Sequence, residues 1–244
     1  PNVFVELADP ANDDHGPGGY VYPRDQVFKP GVFDLTELTI GYDEADYIFR
    51  LQFRGPVINE WGSPNGLSVQ TIDLYLDIDG PQTGDRILLP GRNASLGTDY
   101  GWDYAVWAEG WTPGIYAPGE YGPLQIDSGY TILTNPGQRR VTIRVPRSLL
   151  DGDPLEWRIA VVILSQEGFP AAGVWRVRNV QPVAEQWRIG GGSGSPADTR
   201  IMDILWPLGD GPTQEELLGH LNPVEVDLAA LGPDQFPQVL MIAP

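Results

Sequence analysis

Hydrophobic and polar residues alternate with a period of two along much of this chain of 244 residues. In the run 46–54, large apolar side chains from Tyr47 to Phe53 fall on one face and polar side chains fall on the other. The run 72–79 repeats the pattern and places three carboxylates on its polar face. Such alternation predicts antiparallel strands that are buried on one face only.

Other apolar or alternating runs predict further strands at residues 2–7, 38–42, 102–111, 130–134, 140–145, 155–166, 174–180 and 201–205. The run 155–166 is the most hydrophobic, which predicts a central position in its sheet. The only predicted helix spans 213–221, where Thr213 and Glu216 have the spacing of a capping box. About ten strands with little helix predict an all-β fold, a two-sheet antiparallel β-sandwich with one short C-terminal helix.

The chain is predicted to form a single β-sandwich domain over residues 1–244. Its core is expected at about 3–223, followed by a C-terminal extension over 224–244. Glycine and proline are frequent, but they are dispersed between the apolar runs rather than gathered into a linker. No composition change therefore marks a boundary between two domains.

The amino-acid composition limits the classes of molecule that this protein is expected to bind. The chain has 33 acidic and 15 basic residues, a formal net charge of -18, and no cysteine. Nucleic acid is not expected as a partner, because phosphate neutralisation needs a basic surface. The longest apolar run, 159–164, is far shorter than the roughly 20 residues that span a bilayer, so no membrane insertion is expected. An acidic protein remains compatible with divalent cations and neutral sugars.

A loop near the start of the chain is rich in the oxygen ligands that calcium prefers. Asp9, Asp13 and Asp14 lie within six residues, and the glycine-rich stretch 16–19 follows at once. Such crowding is repulsive unless water or a cation separates the carboxylates. Asp34, next to the following strand, is a further candidate ligand. The loop is predicted to bind calcium, and a solvated acidic turn is the alternative.

Asp77 and Asp79 form a second candidate metal site at the end of a predicted strand. With Gly80 they resemble the start of an EF-hand calcium loop, but Gln82 and Leu88 occupy the positions that need glycine and glutamate. The segment is therefore not an EF-hand. A strand-end cation site is the prediction, and a solvated acidic face is the alternative.

Eight tryptophans in a chain of this size suggest sugar binding. The apolar face of a pyranose ring stacks on exposed indole rings, while nearby polar groups bond its hydroxyls. Trp61, Trp102 and Trp111 lie in or beside glycine-rich loops and are the candidate carbohydrate-binding residues. Burial in the core is the alternative for each of them. The tryptophans on or next to apolar strands are expected in the core: Trp157, Trp175 and Trp206.

No catalytic constellation stands out. His15 and His220 are the only histidines, and neither lies near a nucleophile motif. The glycine-rich stretch 189–196 fits neither a nucleophile elbow nor a phosphate loop. Among 33 acidic residues, nothing selects one pair as the two carboxylates of a glycosidase. A catalytic role is therefore not expected.

Several motifs together resemble the C-terminal domain of bacterial glucodextranase and related modules that accompany amylases and pullulanases. They extend over nearly the whole chain, from about Val3 to the region of Pro223. The motifs are Asp9-Pro10, Tyr20-x-Tyr22-Pro23, Phe33-Asp34-Leu35, Trp61-Gly62-x-Pro64-Asn65-Gly66, Leu89-Pro90-Gly91-Arg92-Asn93-Ala94 and Gly101-Trp102-Asp103-Tyr104-Ala105.

The resemblance implies a β-sandwich of the DOMON type, similar to family 9 carbohydrate-binding modules, with bound calcium at the acidic loop. It also implies a secreted, extracellular or cell-surface protein that is joined to the catalytic domain of a bacterial glycoside hydrolase. There a non-catalytic module would hold an α-glucan or a cell-surface glycan. One alternative is a structural or anchoring domain without a sugar site. The other, from the wider DOMON class, is a haem-binding redox domain with axial ligands among Met202, Met241, His15 and His220.

Overall fold

The computed structural model describes residues 2–80, 83–207, 209, 211–220 and 223–243. Within these ranges the regular structure is almost entirely β-strand, which confirms the predicted all-β class. The strands are β1 (Asn2–Ala8), β2 (Leu35–Tyr42), β3 (Asp46–Phe53), β4 (Gln70–Asp77), β5 (Ser95–Leu96), β6 (Tyr104–Ala108), β7 (Gly114–Ala117), β8 (Leu124–Asp127), β9 (Thr131–Asn135), β10 (Arg140–Pro146), β11 (Arg158–Ser165), β12 (Ile201–Ile204) and β13 (Gln238–Val239), and the helix is α1 (Gln214–Leu218).

Two antiparallel sheets form the sandwich. The five-stranded sheet has the order β1-β2-β3-β10-β9, and the six-stranded sheet has the order β12-β11-β4-β6-β7-β8. A short parallel pair joins β13 to β5. The most hydrophobic run contains β11, which lies inside its sheet between β12 and β4, as its composition predicted.

The inner faces of the two sheets enclose the main hydrophobic core. On β3 the alternating apolar side chains lie in this core, and Phe49 and Leu51 are fully buried. Trp157 is in the same core, with its ring 5.0 Å from that of Tyr47 in an edge-on arrangement. Removal of this aromatic and aliphatic surface from water is the main force that holds the sheets together.

The outer face of the six-stranded sheet is also buried, which the alternation in β4 did not predict. Asp73, Tyr75 and Asp77 on that face are almost completely shielded from solvent. Irregular segments before β6 and after β11, together with β13, form a second hydrophobic cluster there around Trp102 and Trp107. Because β4 is covered on both sides, its polar side chains need partners inside the protein.

Arg92 supplies the partner for Asp73. Its Nε and Nη2 donate to the two Asp73 carboxylate oxygens at 2.7 and 2.9 Å, and the Tyr75 hydroxyl donates to the same carboxylate at 2.8 Å. The remaining nitrogen, Nη1, donates to the carbonyl oxygens of Pro90 and Trp175. This bidentate pair is fully buried and joins β4 to the segments that cover it.

The strands predicted at 130–134 and 140–145 and the predicted helix are confirmed, with shorter bounds for the helix. Strands β9 and β10 pair antiparallel on either side of the turn Pro136–Gln138. Helix α1 begins after Thr213, whose hydroxyl accepts a hydrogen bond from the backbone of Glu216 in a capping box. The predicted end of the helix, Leu221, lies outside the described residues.

The strand predicted at 174–180 is wrong. In this segment only isolated bridges form, at Val177 and Val180. Its apolar residues divide between two faces, because Val177 belongs to the second hydrophobic cluster whereas Val180 belongs to the main core. The C-terminal segment packs in the second cluster through Val239 and Met241.

Replacing Arg92 with alanine should lower the free energy of unfolding by about 3–5 kcal/mol, because the Asp73 carboxylate stays buried without its cation. Arg158→Ala is the matched control, since Arg158 is exposed at the start of β11. That change should be within ~0.5 kcal/mol of the wild type. Urea unfolding followed by circular dichroism measures both values, and losses of equal size would contradict the role given to the buried pair.

Candidate functional site

Several loops meet at one end of the sandwich, where β6 and β11 end and β4 and β7 begin. Ser165 at the end of β11 pairs with Gln70 at the start of β4, and Trp107 near the end of β6 pairs with Gly114 at the start of β7. The Gln70 side chain also donates to the Val32 carbonyl, just before β2. This end therefore carries the loops after β1, β3, β6 and β11, which contain most residues of two candidate sites.

The acidic loop folds against β12 and brings Asp203 beside Asp9 and Asp13. One carboxylate oxygen from each of the three residues lies within 4.8 Å of the others. Asp203 is completely buried and Asp9 is nearly so. Calcium–oxygen bonds are about 2.3–2.6 Å long, so a single calcium ion can span oxygens at this spacing.

Hydrogen bonds from several elements hold the carboxylates in place. Asp9 accepts from the backbone N–H of Trp206 at 2.6 Å, and Asp203 accepts from the backbone N–H of Leu35 at 2.7 Å. The Gln214 side chain in α1 donates to two backbone carbonyl oxygens of the acidic loop. The cluster thus lies where β1, β2, β12 and α1 meet.

Asp14 and Asp34 were also predicted as ligands. Both lie near this group, but each forms hydrogen bonds with residues outside it. Asp14 accepts a hydrogen bond from the Tyr22 hydroxyl. Asp34 Oδ2 accepts from the Arg54 side chain and from the backbone of Asn12, whereas its Oδ1 has no partner within the described chain. Asp34 therefore has one oxygen without a partner but is not one of the three clustered residues, and Asp14 is directed to Tyr22.

Burial and mutual repulsion disfavour a set of free carboxylates at this position. Burial raises the pKa of Asp9 to about 8 and that of Asp13 to about 6, and neighbouring carboxylates add to both effects. Burial also raises the pKa of Asp203 well above its usual range. Asp9 Oδ2, Asp13 Oδ1 and Asp34 Oδ1 are shielded from solvent and have no hydrogen-bond partner among the described residues. Orphaned carboxylate oxygens of this kind fit the donor set of a hard divalent cation.

The strand-end group contains Asp103 in addition to Asp77 and Asp79. Asp103 accepts from the backbone of Ile78, and Asp77 accepts from the backbone of Gly80, both at 2.8 Å. In the part of the chain that the structure describes, this group has no carboxylate oxygen that is both buried and without a partner. The strand-end site therefore has less structural support as a cation site than the acidic loop has.

Trp61 and Trp111, two of the candidate sugar-binding residues, line a cleft of about 940 Å³. Trp187 lies beside Trp61, with ring centroids 6.1 Å apart. Trp61 is 43% exposed, Trp187 is 37% exposed, and Phe169 at the same cleft is 94% exposed. The lining residues of this aromatic cleft are Trp61, Trp111, Gln166, Glu167, Gly168, Phe169, Arg176, Arg178, Glu185, Gln186, Trp187 and Arg188.

Arg178 fixes the wall of the cleft that carries Trp187. Its guanidinium lies 5.9 Å from the Trp187 ring and donates to the Trp187 carbonyl at 2.8 Å. It also donates to the Ser165 hydroxyl at 3.1 Å and to the Glu167 carboxylate at 3.2 Å. Burial lowers the pKa of Arg178 to about 10, so its side chain stays charged at neutral pH. Glu167 pairs in addition with Arg188 at 3.1 Å, which makes the wall a small ionic network.

Trp102, the third candidate sugar-binding residue, is not part of the cleft. It is fully buried in the second hydrophobic cluster, and its indole N–H donates to the Ile87 carbonyl at 2.8 Å. The prediction that Trp102 presents a surface to sugars is wrong, because irregular segments cover the outer face of the sheet. Among the tryptophans expected in the core, Trp157 is fully buried, whereas Trp175 and Trp206 are only partly buried.

Three residues of these sites were missed by reasoning from the sequence: Asp203, Asp103 and Trp187. Asp203 is the one acidic residue of β12, a strand whose other members are apolar and buried, and that isolation was an available signal. Trp187 lies just before the glycine-rich stretch 189–196, so the criterion that selected Trp61 could also have selected Trp187.

A protein-family model matches residues 4–233 of the chain. It describes the C-terminal, SLH-like binding module of glucodextranase. This chain belongs to that family. The resemblance found from the motifs is thereby confirmed for nearly the whole sequence. No curated protein matches this chain.

The glucodextranase-type module has no helix, among its described residues, with the length and apolar character needed to cross a membrane. The residues considered as haem ligands are dispersed within it. Met202 is buried in the main core and Met241 in the second cluster, whereas His15 bonds to the Tyr20 carbonyl. The aromatic cleft is lined by none of these, nor by His220.

Proposed function

We propose that this module is non-catalytic and binds a carbohydrate, an α-glucan or a cell-surface glycan, in the aromatic cleft. The observation that carries the proposal is the pair of neighbouring indoles, Trp61 and Trp187, exposed together in one cleft. Exposed aromatic surface is unfavourable in water and commonly marks a binding site. In this proposal the module holds a glycan near the catalytic domain of a secreted glycoside hydrolase.

The cleft offers both kinds of contact that a pyranose ring needs. The C–H face of the sugar stacks on indole rings, while its hydroxyl groups exchange hydrogen bonds with polar side chains. Gln166 is 1% exposed, and its Nε2 has no partner within the described chain, so a donor remains unsatisfied at the cleft. Glu167 and Arg188 add an acceptor and a donor on the same wall.

Membership in a family of glucodextranase binding modules supports a binding role. It also supports a location outside the cell, where polymeric α-glucans are degraded. An anchoring domain without a sugar site is the alternative function. Such a domain gives no reason for Trp61 and Trp187 to remain exposed side by side, so we favour sugar binding.

We further propose that the acidic cluster binds calcium through Asp9, Asp13 and Asp203, with Asp34 as a fourth ligand. The orphaned oxygens and the all-carboxylate donor set support this assignment. Asp9 follows β1 of the five-stranded sheet, whereas Asp203 lies on β12 of the six-stranded sheet. The ion would therefore hold the two sheets together at the loop-bearing end. The strand-end site at Asp77 and Asp79 stays a prediction.

Replacing Trp187 with alanine should weaken binding of maltoheptaose or of an isomalto-oligosaccharide by about tenfold, because one of two stacking rings is lost. Isothermal titration calorimetry measures the change. Tyr121→Ala is the matched control, since Tyr121 is an aromatic residue that is 95% exposed and lies outside the cleft. That variant should bind as the wild type does.

Two outcomes would contradict this proposal. If the wild-type protein binds no ligand in a panel of α-glucans and cell-wall glycans, the module has no sugar-binding function. If Trp187→Ala and Tyr121→Ala bind with the affinity of the wild type, sugar is bound outside the aromatic cleft.

Saturating calcium should raise the melting temperature by about 5–10 °C above its value in EDTA, because an ion that binds only the folded state stabilises it by ~3 kcal/mol. Asp13→Asn should abolish this increase. In EDTA the variant should be at least as stable as the wild type, because one charge has left a repulsive cluster. Differential scanning calorimetry of both proteins, with and without calcium, measures these values.

The control for this experiment is Asp99→Asn, because Asp99 lies on an exposed turn away from both acidic groups. It should keep the full calcium effect. Asp79→Asn tests the strand-end group separately, and a partial loss of the effect would indicate a second ion there. An unchanged melting temperature of the wild type in EDTA and in calcium would refute a structural calcium site.

A further inference from the structure

A second groove, of about 670 Å³, lies next to the aromatic cleft. Three aromatic side chains, Trp107, Tyr116 and Trp175, line it and pack together with ring centroids between 4.8 and 6.3 Å apart. The Trp175 carbonyl is bonded to the buried Arg92, which fixes this segment on the sheet. The second groove is therefore a preformed hollow with an aromatic wall.

The cleft and the second groove share two lining residues, Trp111 and Arg176. The Arg176 guanidinium lies 5.6 Å from the centre of the Trp111 ring. Arg176 has a φ of 49°, a left-handed conformation that is unfavourable for a residue with a Cβ atom. The Glu167 backbone N–H donates to the Arg176 carbonyl at 2.9 Å and holds that conformation. Strained residues of this kind concentrate at binding sites.

The chemistry of the second groove suits a neutral sugar chain. Among the described residues that line it, Arg176 is the only charged one, and Thr112, Gln125 and Ser128 provide hydroxyl and amide groups. The indole N–H of Trp107 is buried and has no partner in the described part of the chain, so a hydrogen-bond donor is left over at this groove. The net charge of -18 disfavours an anionic polysaccharide.

We propose that the second groove is an additional sugar subsite, so that one neutral glycan chain continues from the aromatic cleft, over Trp111 and Arg176, to Trp175. This inference rests on the sugar-binding function proposed for the cleft and extends it. A module built in this way binds several consecutive units of a glycan chain rather than a single sugar. Its affinity should rise with chain length until both grooves are filled, because each further unit adds contacts.

Isothermal titration calorimetry with neutral α-glucan oligosaccharides, from disaccharide to heptasaccharide, tests this proposal. For the wild type we expect affinity to rise by about tenfold over the series. Trp175→Ala should remove most of that rise and change disaccharide affinity by less than about twofold. Trp187→Ala should instead weaken ligands of every length.

A second variant tests the same groove independently, in case Trp175→Ala does not fold correctly. Gln125 is exposed on β8 and lines the second groove, so Gln125→Ala should weaken only the longer ligands, by about threefold. Leu124→Ala is its matched control, because Leu124 is the preceding residue, is 62% exposed and lines neither groove. Near-ultraviolet circular dichroism of each variant checks the fold.

The outcomes separate the subsite from the function on which it rests. Equal affinity at all lengths overturns the subsite and leaves the aromatic cleft as the whole site. The same holds if Trp175→Ala and Gln125→Ala lose affinity equally at every length. Absence of binding at any length overturns sugar binding by the module, and the subsite with it.

Discussion

The buried ion pair between Arg92 and Asp73 is the interaction on which the outer half of this module depends. Every residue of β4 is buried, so Asp73 has to be neutralised inside the protein. The cation comes from an irregular segment, which the pair fastens to the sheet. The same guanidinium lies 5.4 Å from the Trp107 ring and donates to the Trp175 carbonyl. The same arginine therefore holds the covering segment on the sheet and supports the aromatic wall of the second groove.

Alternation in the sequence was enough to predict the fold class and the strands of the inner core, because a period of two reports burial on one face. The same reasoning failed for strands that are buried on both faces. In β4 the polar positions look like a solvated face, and only the position of Arg92 in space shows that Asp73 is paired inside the protein. The run 174–180 has the hydrophobicity of a strand, yet it meets the end of β11 only through an isolated bridge and does not continue the sheet.

The candidate sites could be predicted only as far as their residues are neighbours in the chain. Asp9 and Asp13 are close in sequence, so their crowding alone indicated a cation site, whereas Asp203 joins them through the pairing of β12 with β11. In the aromatic cleft, too, residues that are distant in the sequence are brought together by the fold. Trp61 and Trp187 each lie in or beside a glycine-rich segment, but the two segments are distant in the sequence and meet only in the folded protein. Composition cannot predict such a meeting, because it depends on tertiary contacts.

A row of aromatic rings connects the acidic loop to the aromatic cleft. Asp14 accepts the hydroxyl of Tyr22, and the Tyr22 ring packs edge-on against Phe33 at 5.1 Å. Phe28 then lies between Phe33, at 6.4 Å, and Trp187, at 6.0 Å. Interiors packed at this density leave little room for one ring to move without its neighbour. The acidic loop and Trp187 are therefore parts of one continuous aromatic packing layer, although they come from distant parts of the chain.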